Sequence, residues 1–224
     1  MRNLNLLACS DLHASENALE MIARLANPDD FDLVVISGDF TTYGSLDYVS
    51  SLLKRIKNIL VLGIPGNCDM PEIVNLLEKQ HVNLHNKRVD FAGWQFFGFG
   101  GGIPTSSGMP FEVDEGVIES SLRAIAVKNG VMVTHQPPFG VNDTGRSGKH
   151  GGSKSILKIV QEFAPRLALA GHMHESRGVT KLGETVCVNP GSARNGFYAS
   201  IWLGDEIRVK LHQDNDGADK PKMY

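Results

Sequence analysis

Short apolar runs alternate with amphipathic stretches in the first part of the chain, and this alternation limits the folds that the chain can adopt. The runs are typical of strands buried on both faces, and they cover residues 4–9, 33–36 and 59–62. The stretches that follow them carry apolar side chains at helical spacing, and they cover residues 15–26, 45–56 and 71–79. The order strand–helix, repeated in this way, predicts an α/β fold that begins with a parallel sheet covered by helices.

Beyond residue 81 the expected strands become short and follow one another closely, which favours antiparallel pairing. These segments cover residues 82–84, 88–91, 94–99, 177–181, 185–188, 197–203 and 207–211. Between the two groups we expect helices at 115–127 and 153–163 and strands at 131–134 and 167–170. The middle strands and the C-terminal hairpin strands are expected to form a second sheet that packs on the first. We expect a single domain over residues 1–212, followed by a polar, flexible tail at 213–224.

The composition is ordinary for a globular protein, with 42% hydrophobic residues, 21% charged residues and a formal net charge of -3. This charge gives no general reason to expect a nucleic-acid partner, although a local basic groove stays open as an alternative. Cys9, Cys68 and Cys187 are scattered, which indicates neither a disulfide framework nor a thiolate zinc site. The run at 4–9 is too short to span a bilayer and lacks a signal-peptide layout, so we expect no membrane partner and a cytoplasmic location.

Residues able to bind metal ions follow five of the expected strands. They are Asp11, His13, Asp39, Asn67, His135, His172 and His174. The carboxyl ends of parallel strands open onto the crevice where α/β proteins bind ligands, so neighbouring strands would bring these side chains together. Each residue alone also has a structural explanation, because an aspartate can cap a helix, an asparagine can hold a left-handed turn and a histidine can lie in the core. The repetition at five strand ends favours a metal site.

The motif His172-Met173-His174 supplies two imidazoles from one short segment. If the segment is extended, both rings point the same way and form half of a metal site; the same motif also occurs on solvated loops. Seven oxygen and nitrogen ligands exceed what one zinc ion takes and suit two ions bridged by a carboxylate. Without a thiolate, the set favours Mn, Fe, Zn, Ni or Co over a copper or iron–sulfur centre. Asp39 is the best candidate bridge because its strand is expected to be central.

Taken in chain order, these motifs resemble those of the calcineurin-like metallophosphoesterases. The motifs are Asp11-x-His13, Gly38-Asp39, Gly66-Asn67-Cys68-Asp69, His135 and Gly171-His172-x-His174. The resemblance implies a four-layer α/β/β/α sandwich, with two mixed sheets flanked by helices. It also implies a first ion held by Asp11, His13, Asp39 and His174, and a second held by Asp39, Asn67, His135 and His172. Within the family, the loops at 101–105, 135–138 and 150–154 look like those of small uncharacterised phosphoesterases of archaea and bacteria.

One position departs from the family pattern, because Cys68 stands where many members carry a histidine that helps the leaving group depart. A thiol beside two cations would become a thiolate and a poor proton donor, so we expect no strong general acid here. His150 would supply a donor if its loop folds over the site; the alternative is a solvated loop residue. Asp69 would orient its neighbours, and Asn67 would bind through its amide oxygen. The candidate catalytic residues are Asp39, Asn67, Cys68, Asp69 and His150.

Two further segments give clues to the substrate. The loop at 144–154 is basic and glycine-rich and ends at an expected helix N-terminus, which favours an anion; a mobile solvated loop is the alternative. Arg194 follows the turn that begins at Asn189, where it would lie either at the rim of the site or on the general surface.

The motifs together predict a phosphoesterase with a dinuclear metal centre, and Mn²⁺ is the ion expected to work best in vitro. A hydroxide that bridges the ions would attack phosphorus in line while the ions neutralise charge on the phosphoryl oxygens, so we expect phosphodiester hydrolysis. The expected substrate is a small phosphoester or a nucleotide. Phosphomonoesterase, nucleotide pyrophosphatase and nuclease activities stay open, as does the oligomeric state. A non-catalytic interaction scaffold is disfavoured because such proteins lose metal ligands, whereas all seven are present here.

Overall fold

The computed structural model describes residues 2–106 and 108–214. In chain order its strands and helices are β1 (Leu4–Cys9), α1 (Glu16–Leu25), β2 (Leu33–Ser37), α2 (Leu46–Arg55), β3 (Leu60–Ile64), α3 (Ile73–Lys79), β4 (Lys87–Phe91), β5 (Trp94–Phe99), α4 (Glu115–Ile125), β6 (Val131–Thr134), α5 (Lys154–Phe163), β7 (Leu167–Leu169), β8 (Gly178–Leu182), β9 (Thr185–Asn189), β10 (Phe197–Leu203) and β11 (Ile207–Gln213). Two short 3-10 helices, His174–Ser176 and Ala193–Asn195, lie in the loops before β8 and β10. The first three strand–helix pairs occur where the sequence predicts them.

The strands form two mixed sheets. The first sheet has the order β11-β10-β1-β2-β3, and the second has the order β4-β5-β6-β7-β9-β8. Strands β1, β2 and β3 run parallel, as the opening alternation predicts, and strands β5, β6, β7 and β9 also run parallel. The loops that follow β1, β2 and β3 therefore meet at one edge of the first sheet, and those that follow β6 and β7 meet at one edge of the second.

Strands β10 and β11 belong to the first sheet, so the expectation that all C-terminal hairpin strands join the second sheet is wrong. Strand β10 pairs antiparallel with β1, whereas β8 and β9 join the second sheet as expected. The turn before β10 explains the difference. Ser192 pairs with Ser10 just beyond β1, and the Ala193 N–H donates to the Ser10 carbonyl at 2.8 Å. The chain therefore enters β10 already aligned with the edge of β1.

The segment at 82–84 does not form the expected strand, because it crosses from one sheet to the other. Asn83 makes a single bridge to Gly63 of β3, and His85 makes a single bridge to Gly98 of β5. The pairing of residues 82–84 with β3 is limited to Gly63, and the next residue, His85, already pairs with the second sheet, so no continuous ladder forms.

Buried side chains form three clusters, one in each space between four layers. One cluster joins α1, α2 and α3 to the first sheet, the second lies between the sheets, and the third joins the second sheet to α4 and α5. Leu7 of β1 belongs to the first cluster and its neighbour Leu6 to the second. Successive side chains of β1 therefore face opposite layers, which explains why the run is apolar at nearly every position. The structure confirms the α/β/β/α sandwich, with five helices in the described part of the chain.

The C-terminal end of the described chain is held by backbone pairing. Strand β11 ends at Gln213, and the Asp214 N–H donates to the Gly196 carbonyl at 2.7 Å. The rest of the expected tail, residues 215–224, lies outside the described residues. Within residues 2–106 and 108–214, no helix has the length and apolar character needed to cross a bilayer.

Candidate metal centre

The seven ligands predicted from the sequence lie at the carboxyl ends of strands from both sheets. The first sheet contributes Asp11, His13, Asp39 and Asn67, and the second sheet contributes His135, His172 and His174. Neither sheet alone supplies the whole set. The site therefore depends on how the two sheets face each other.

One half of the cluster surrounds the imidazoles of His13 and His174, whose Nε2 atoms are 3.3 Å apart. His174 Nε2 also lies 3.2 Å from Asp11 Oδ1, and His13 Nε2 lies 3.7 Å from Asp39 Oδ2. Two ring nitrogens approach this closely when a proton or a shared cation lies between their lone pairs. These four side chains are those that the family resemblance assigns to a first ion.

The other half surrounds the amide oxygen of Asn67. This Oδ1 atom lies 2.9 Å from His135 Nε2 and 3.1 Å from His172 Nδ1. His135 Nε2 is also 3.4 Å from Asp39 Oδ2. Asp39 thus contacts both halves, because its strand β2 lies between β1 and β3.

The spacing and chemistry of these atoms fit metal ions. Ligands bonded to one ion at about 2.1 Å lie roughly 3 to 3.5 Å from their neighbours. The corresponding contacts here run from 2.9 to 3.9 Å. The carboxylates of Asp11 and Asp39 are buried, and their salt-bridge partners among the described residues are histidines, with no lysine or arginine. Buried carboxylates without a permanent cation beside them are costly, so this donor set suits bound cations.

The ionisable groups of the cluster shift one another's pKa. Burial opposes charge on His135, but the nearby Asp39 carboxylate outweighs burial and raises the pKa of His135 to about 9. Burial, helped by the charge on His135, lowers the pKa of His172 to about 4. Burial alone would raise the pKa of Asp39, yet His135 and His13 hold it below its ordinary range. At neutral pH Asp39 is therefore ionised and His172 is neutral, which are the forms that bind metals, whereas His135 is protonated and would release its proton when an ion binds.

The backbone at four of the seven residues is left-handed. Asp11, His13, Asp39 and His172 have φ angles of 56°, 50°, 51° and 65°. Residues other than glycine rarely adopt such angles, and they keep them where the surrounding structure enforces a conformation that function requires. The loops at the strand ends are thus bent to aim these side chains inward.

His172 and His174 do not share an extended segment, so that part of the sequence interpretation is wrong. Strand β7 ends at Leu169, and His174 begins a 3-10 helix. The two rings converge because the loop is tied to the first sheet, where the His172 N–H donates to both carboxylate oxygens of Asp11 at 3.1 to 3.2 Å. A tertiary contact, not strand alternation, sets their direction.

Glycines before two of the ligands allow the loops to approach this closely. A Cβ on Gly66 would lie 2.0 Å from Asp39 Oδ1, and a Cβ on Gly171 would lie 1.8 Å from Ser10 Oγ. No side chain fits at either position without moving a ligand loop. The Gly-Asn and Gly-His pairs visible in the sequence therefore have a packing cause.

Asp69 lies beneath the cluster and holds two ligand loops together. Its carboxylate accepts hydrogen bonds from the N–H groups of Phe40, Thr41 and Gly66 and from the Thr41 hydroxyl, at 2.7 to 3.1 Å. Phe40 directly follows Asp39, so Asp69 fixes the path of that ligand's loop. These hydrogen bonds are the contacts through which Asp69 would orient that loop.

Cys68 is half-buried at the edge of the cluster. Its N–H donates to Asp39 Oδ1 at 2.8 Å, and its Sγ lies within 4.8 Å of ligand atoms of His13 and Asp39. Burial and the Asp39 carboxylate raise the pKa of the Cys68 thiol. The protein groups alone therefore keep it protonated, and the thiolate expected from the sequence would require the added charge of bound ions.

Two groups that orient the histidines carry no recognisable signal in the sequence. The Thr42 hydroxyl lies 2.8 Å from His13 Nδ1, and the Ser37 carbonyl lies 2.8 Å from His135 Nδ1. With Nδ1 engaged in this way, each ring presents Nε2 to the cluster. A threonine and a backbone carbonyl have many ordinary uses, so only the fold identifies these two.

The structure ties His150 to Asp143, whose Oδ1 lies 2.7 Å from His150 Nδ1, and leaves 49% of the His150 side chain exposed. Its ring also packs on Phe139, with the ring centroids 5.1 Å apart. The glycine-rich loop around it forms a short hairpin that packs on Met173. No contact joins His150 to the seven ligands within the described residues.

Comparisons with known proteins agree with this geometry. Residues 4–176, which include all seven candidate ligands, match the family described as calcineurin-like phosphoesterase. The uncharacterised protein MJ1162 of Methanocaldococcus jannaschii is 34% identical over 168 residues, which cover 71% of this chain and 77% of that protein. The crystal structure of TT1561 of Thermus thermophilus aligns with a TM-score of 0.74 at 18% identity, covering 95% of this chain and 99% of the other. A novel archaeal phosphodiesterase aligns with a TM-score of 0.55 at 16% identity, covering 93% and 100%.

Proposed function

Because the chain belongs to the calcineurin-like phosphoesterase family, we propose that it hydrolyses phosphodiesters with two metal ions held by the seven clustered ligands. The observation that carries this proposal is the pair of buried carboxylates, Asp11 and Asp39, whose charged partners among the described residues are histidines alone. Such a cluster is suited to cations and open to few other uses. The fold is shared along nearly the whole chain with a protein named as a phosphodiesterase, and we extend that activity to this chain.

Each ion would be held by residues of both sheets. Asp11, His13, Asp39 and His174 would hold one, and Asp39, Asn67, His135 and His172 would hold the other. Divalent ions in these places would supply Lewis acidity, lowering the pKa of an attacking water and stabilising the charge that develops on the phosphoryl oxygens. The mixed oxygen and nitrogen donors admit Mn, Fe, Zn, Ni or Co, and Mn²⁺ is the first choice for assays.

The chain's own residues keep these donors in place. Thr42 and Ser37 fix the rings of His13 and His135, and Asp69 fixes the loop after Asp39. Activity should therefore depend on the side chains of Thr42 and Asp69, although neither would touch an ion or the substrate.

The leaving group would depart without help from a strong acid. Cys68 lies beside Asp39 at the position where the family resemblance would place a histidine, and a thiol is a weaker proton donor than an imidazolium ion. The rate should therefore depend steeply on the pKa of the leaving group, with activated aryl phosphodiesters far ahead of alkyl ones. A series of aryl phosphodiesters assayed with Mn²⁺ measures this slope, and a flat dependence would show that another residue protonates the leaving group.

Replacing the shared carboxylate tests the proposal itself. Asp39→Asn should abolish hydrolysis of bis(p-nitrophenyl) phosphate and reduce the number of Mn²⁺ ions bound, while the circular dichroism spectrum stays unchanged. Asp90→Asn is the matched control, because it removes the same charge from an exposed position on β4.

Retained hydrolysis in Asp39→Asn would contradict the assignment of the site. If the unaltered protein cleaves only monoesters, pyrophosphate bonds or nucleic acid in a substrate panel, the site would stand and the phosphodiester assignment would be wrong. The absence of both metal binding and hydrolysis would contradict the whole proposal.

A further inference from the structure

A cavity of about 500 Å³ lies beside the metal cluster, with His13 in its wall. Asn17 of α1 lines one side, and Arg194, Asn195 and Gly196 line the other. We propose that this cavity, the Arg194 pocket, binds a second anionic group of the substrate. The inference rests on the proposed function, since it assigns to the same reaction a phosphodiester that carries a further phosphate.

The backbone of Arg194 is fixed relative to the cluster. The Ser192 hydroxyl donates to the Asp11 carbonyl at 2.8 Å, and the Arg194 N–H donates to the same carbonyl at 3.2 Å. The Ala193 N–H donates to the Ser10 carbonyl at 2.8 Å. The turn that carries Arg194 is therefore bonded directly to the loop that carries Asp11 and His13, and the pocket keeps its position beside them.

The guanidinium of Arg194 is available for a ligand. Arg194 is exposed, and its side chain makes no hydrogen bond or ion pair within the described residues. Asp214, the acidic residue of the pocket, pairs instead with Arg24 at 2.5 Å. An arginine left unpaired beside a centre for phosphoesters is suited to bidentate binding of a phosphate.

The rest of the pocket agrees with a polar, anionic ligand. Asn17 and Asn195 add amide groups that can donate hydrogen bonds. Because His13 belongs both to the pocket wall and to the cluster, a group bound here would be part of the same molecule as the phosphodiester. The chemical class is a phosphodiester that carries a second phosphate, in contrast to a diester whose remaining parts are neutral, and a nucleotide with both groups serves as the probe.

Two matched substrates separate these cases. Thymidine 5′-(p-nitrophenyl phosphate) carries one negative charge, and its 3′-phosphate derivative presents the same ester with a second phosphate. With Mn²⁺ present, we expect kcat/KM to be higher for the 3′-phosphorylated ester. Arg194→Ala should reduce that preference about tenfold through KM, the effect of one lost charge-assisted contact, and Arg194→Lys should keep part of it.

Arg208→Ala is the matched control, because Arg208 is an exposed arginine on β11 that lies away from the Arg194 pocket. In the strand register it lies opposite Trp202, whereas the end of β10 next to the pocket is Phe197. It should leave the preference unchanged. The inference would be overturned if the unaltered protein has the same kcat/KM for both esters. It would also be overturned if Arg194→Ala keeps the same preference as the unaltered protein.

Calorimetric titration separates this inference from the proposed function. Thymidine 3′,5′-bisphosphate should bind more tightly than thymidine 5′-monophosphate, and Arg194→Ala should remove the difference. If the difference is present but neither ester is hydrolysed, the pocket stands and the proposed activity is wrong. If the esters are hydrolysed and no difference in binding is found, the activity stands and the pocket is wrong.

Discussion

Acid should destabilise this protein through His85, a histidine outside the metal cluster. Its ring packs against Phe99 and Phe111, with ring centroids 4.6 and 5.4 Å away, and its Nδ1 accepts the Gly100 N–H at 2.9 Å. Burial lowers the pKa of His85 from an ordinary value of 6.5 to about 4. If Nδ1 is protonated, it can no longer accept the hydrogen bond from the Gly100 N–H, and two N–H groups face each other.

The sign and size of the effect follow from these pKa values. A histidine with a lower pKa in the folded state than in the unfolded state binds fewer protons when folded. Its contribution to the free energy of unfolding is therefore present above pH 6.5 and is lost as the pH falls from 6.5 towards 4. With pKa values of 6.5 and about 4, the loss between pH 7.5 and pH 4.5 is about 2.5 kcal/mol.

Urea unfolding of metal-free protein at pH 7.5 and pH 4.5 measures this loss. His85→Asn keeps an acceptor near the Gly100 N–H but does not titrate, so its free energy of unfolding should fall by about 2.5 kcal/mol less than that of the unaltered protein. His81→Asn is the matched control, since His81 is exposed and has a φ of 57°, which asparagine tolerates. If the unaltered protein and His85→Asn lose the same amount, burial does not hold this ring neutral and the reasoning fails.

Two further predictions concern packing. Gly171→Ala should weaken Mn²⁺ binding by about 10- to 100-fold in calorimetric titration, because the added Cβ would lie 1.8 Å from Ser10 Oγ. Gly116→Ala in α4, where a Cβ meets no atom within 4 Å, should leave binding unchanged, and equal affinities in both variants would contradict the packing role. Thr185→Val should raise the free energy of unfolding by roughly 1 kcal/mol in urea, since the buried Thr185 hydroxyl has no hydrogen-bond partner in the described part of the chain. A loss of stability there would show that the hydroxyl is bonded.

The sequence predicts most of the layered fold because its signals are local. A run such as 33–36 can be read as a buried strand from its own residues, and Asp39 can be read as a residue at a strand end for the same reason. Parallel strands place such ends together within each sheet whatever the details of the loops. The packing of the two sheets then brings the two groups of candidate ligands to one place.

Features that depend on contacts distant in sequence escape this reasoning. The placement of β10 is decided by hydrogen bonds from the turn at Ser192 and Ala193 to the carbonyls of Ser10 and Asp11. No periodicity in the sequence indicates these contacts. The directions of His172 and His174 are set in the same way, by the contact with Asp11. Local patterns therefore predict which residues meet, and tertiary bonds determine how they are oriented.

The division of the ligands between two sheets has a mechanical consequence. An ion bound by His13 and His174, or by Asn67 and His135, would link the two sheets, which are otherwise joined mainly by apolar packing. Metal binding should then stabilise the folded sandwich as a whole, because the ions would bind the folded state in preference to the unfolded chain. Metal ions bound at this candidate centre would therefore hold the two sheets together in addition to any part they play in the proposed reaction.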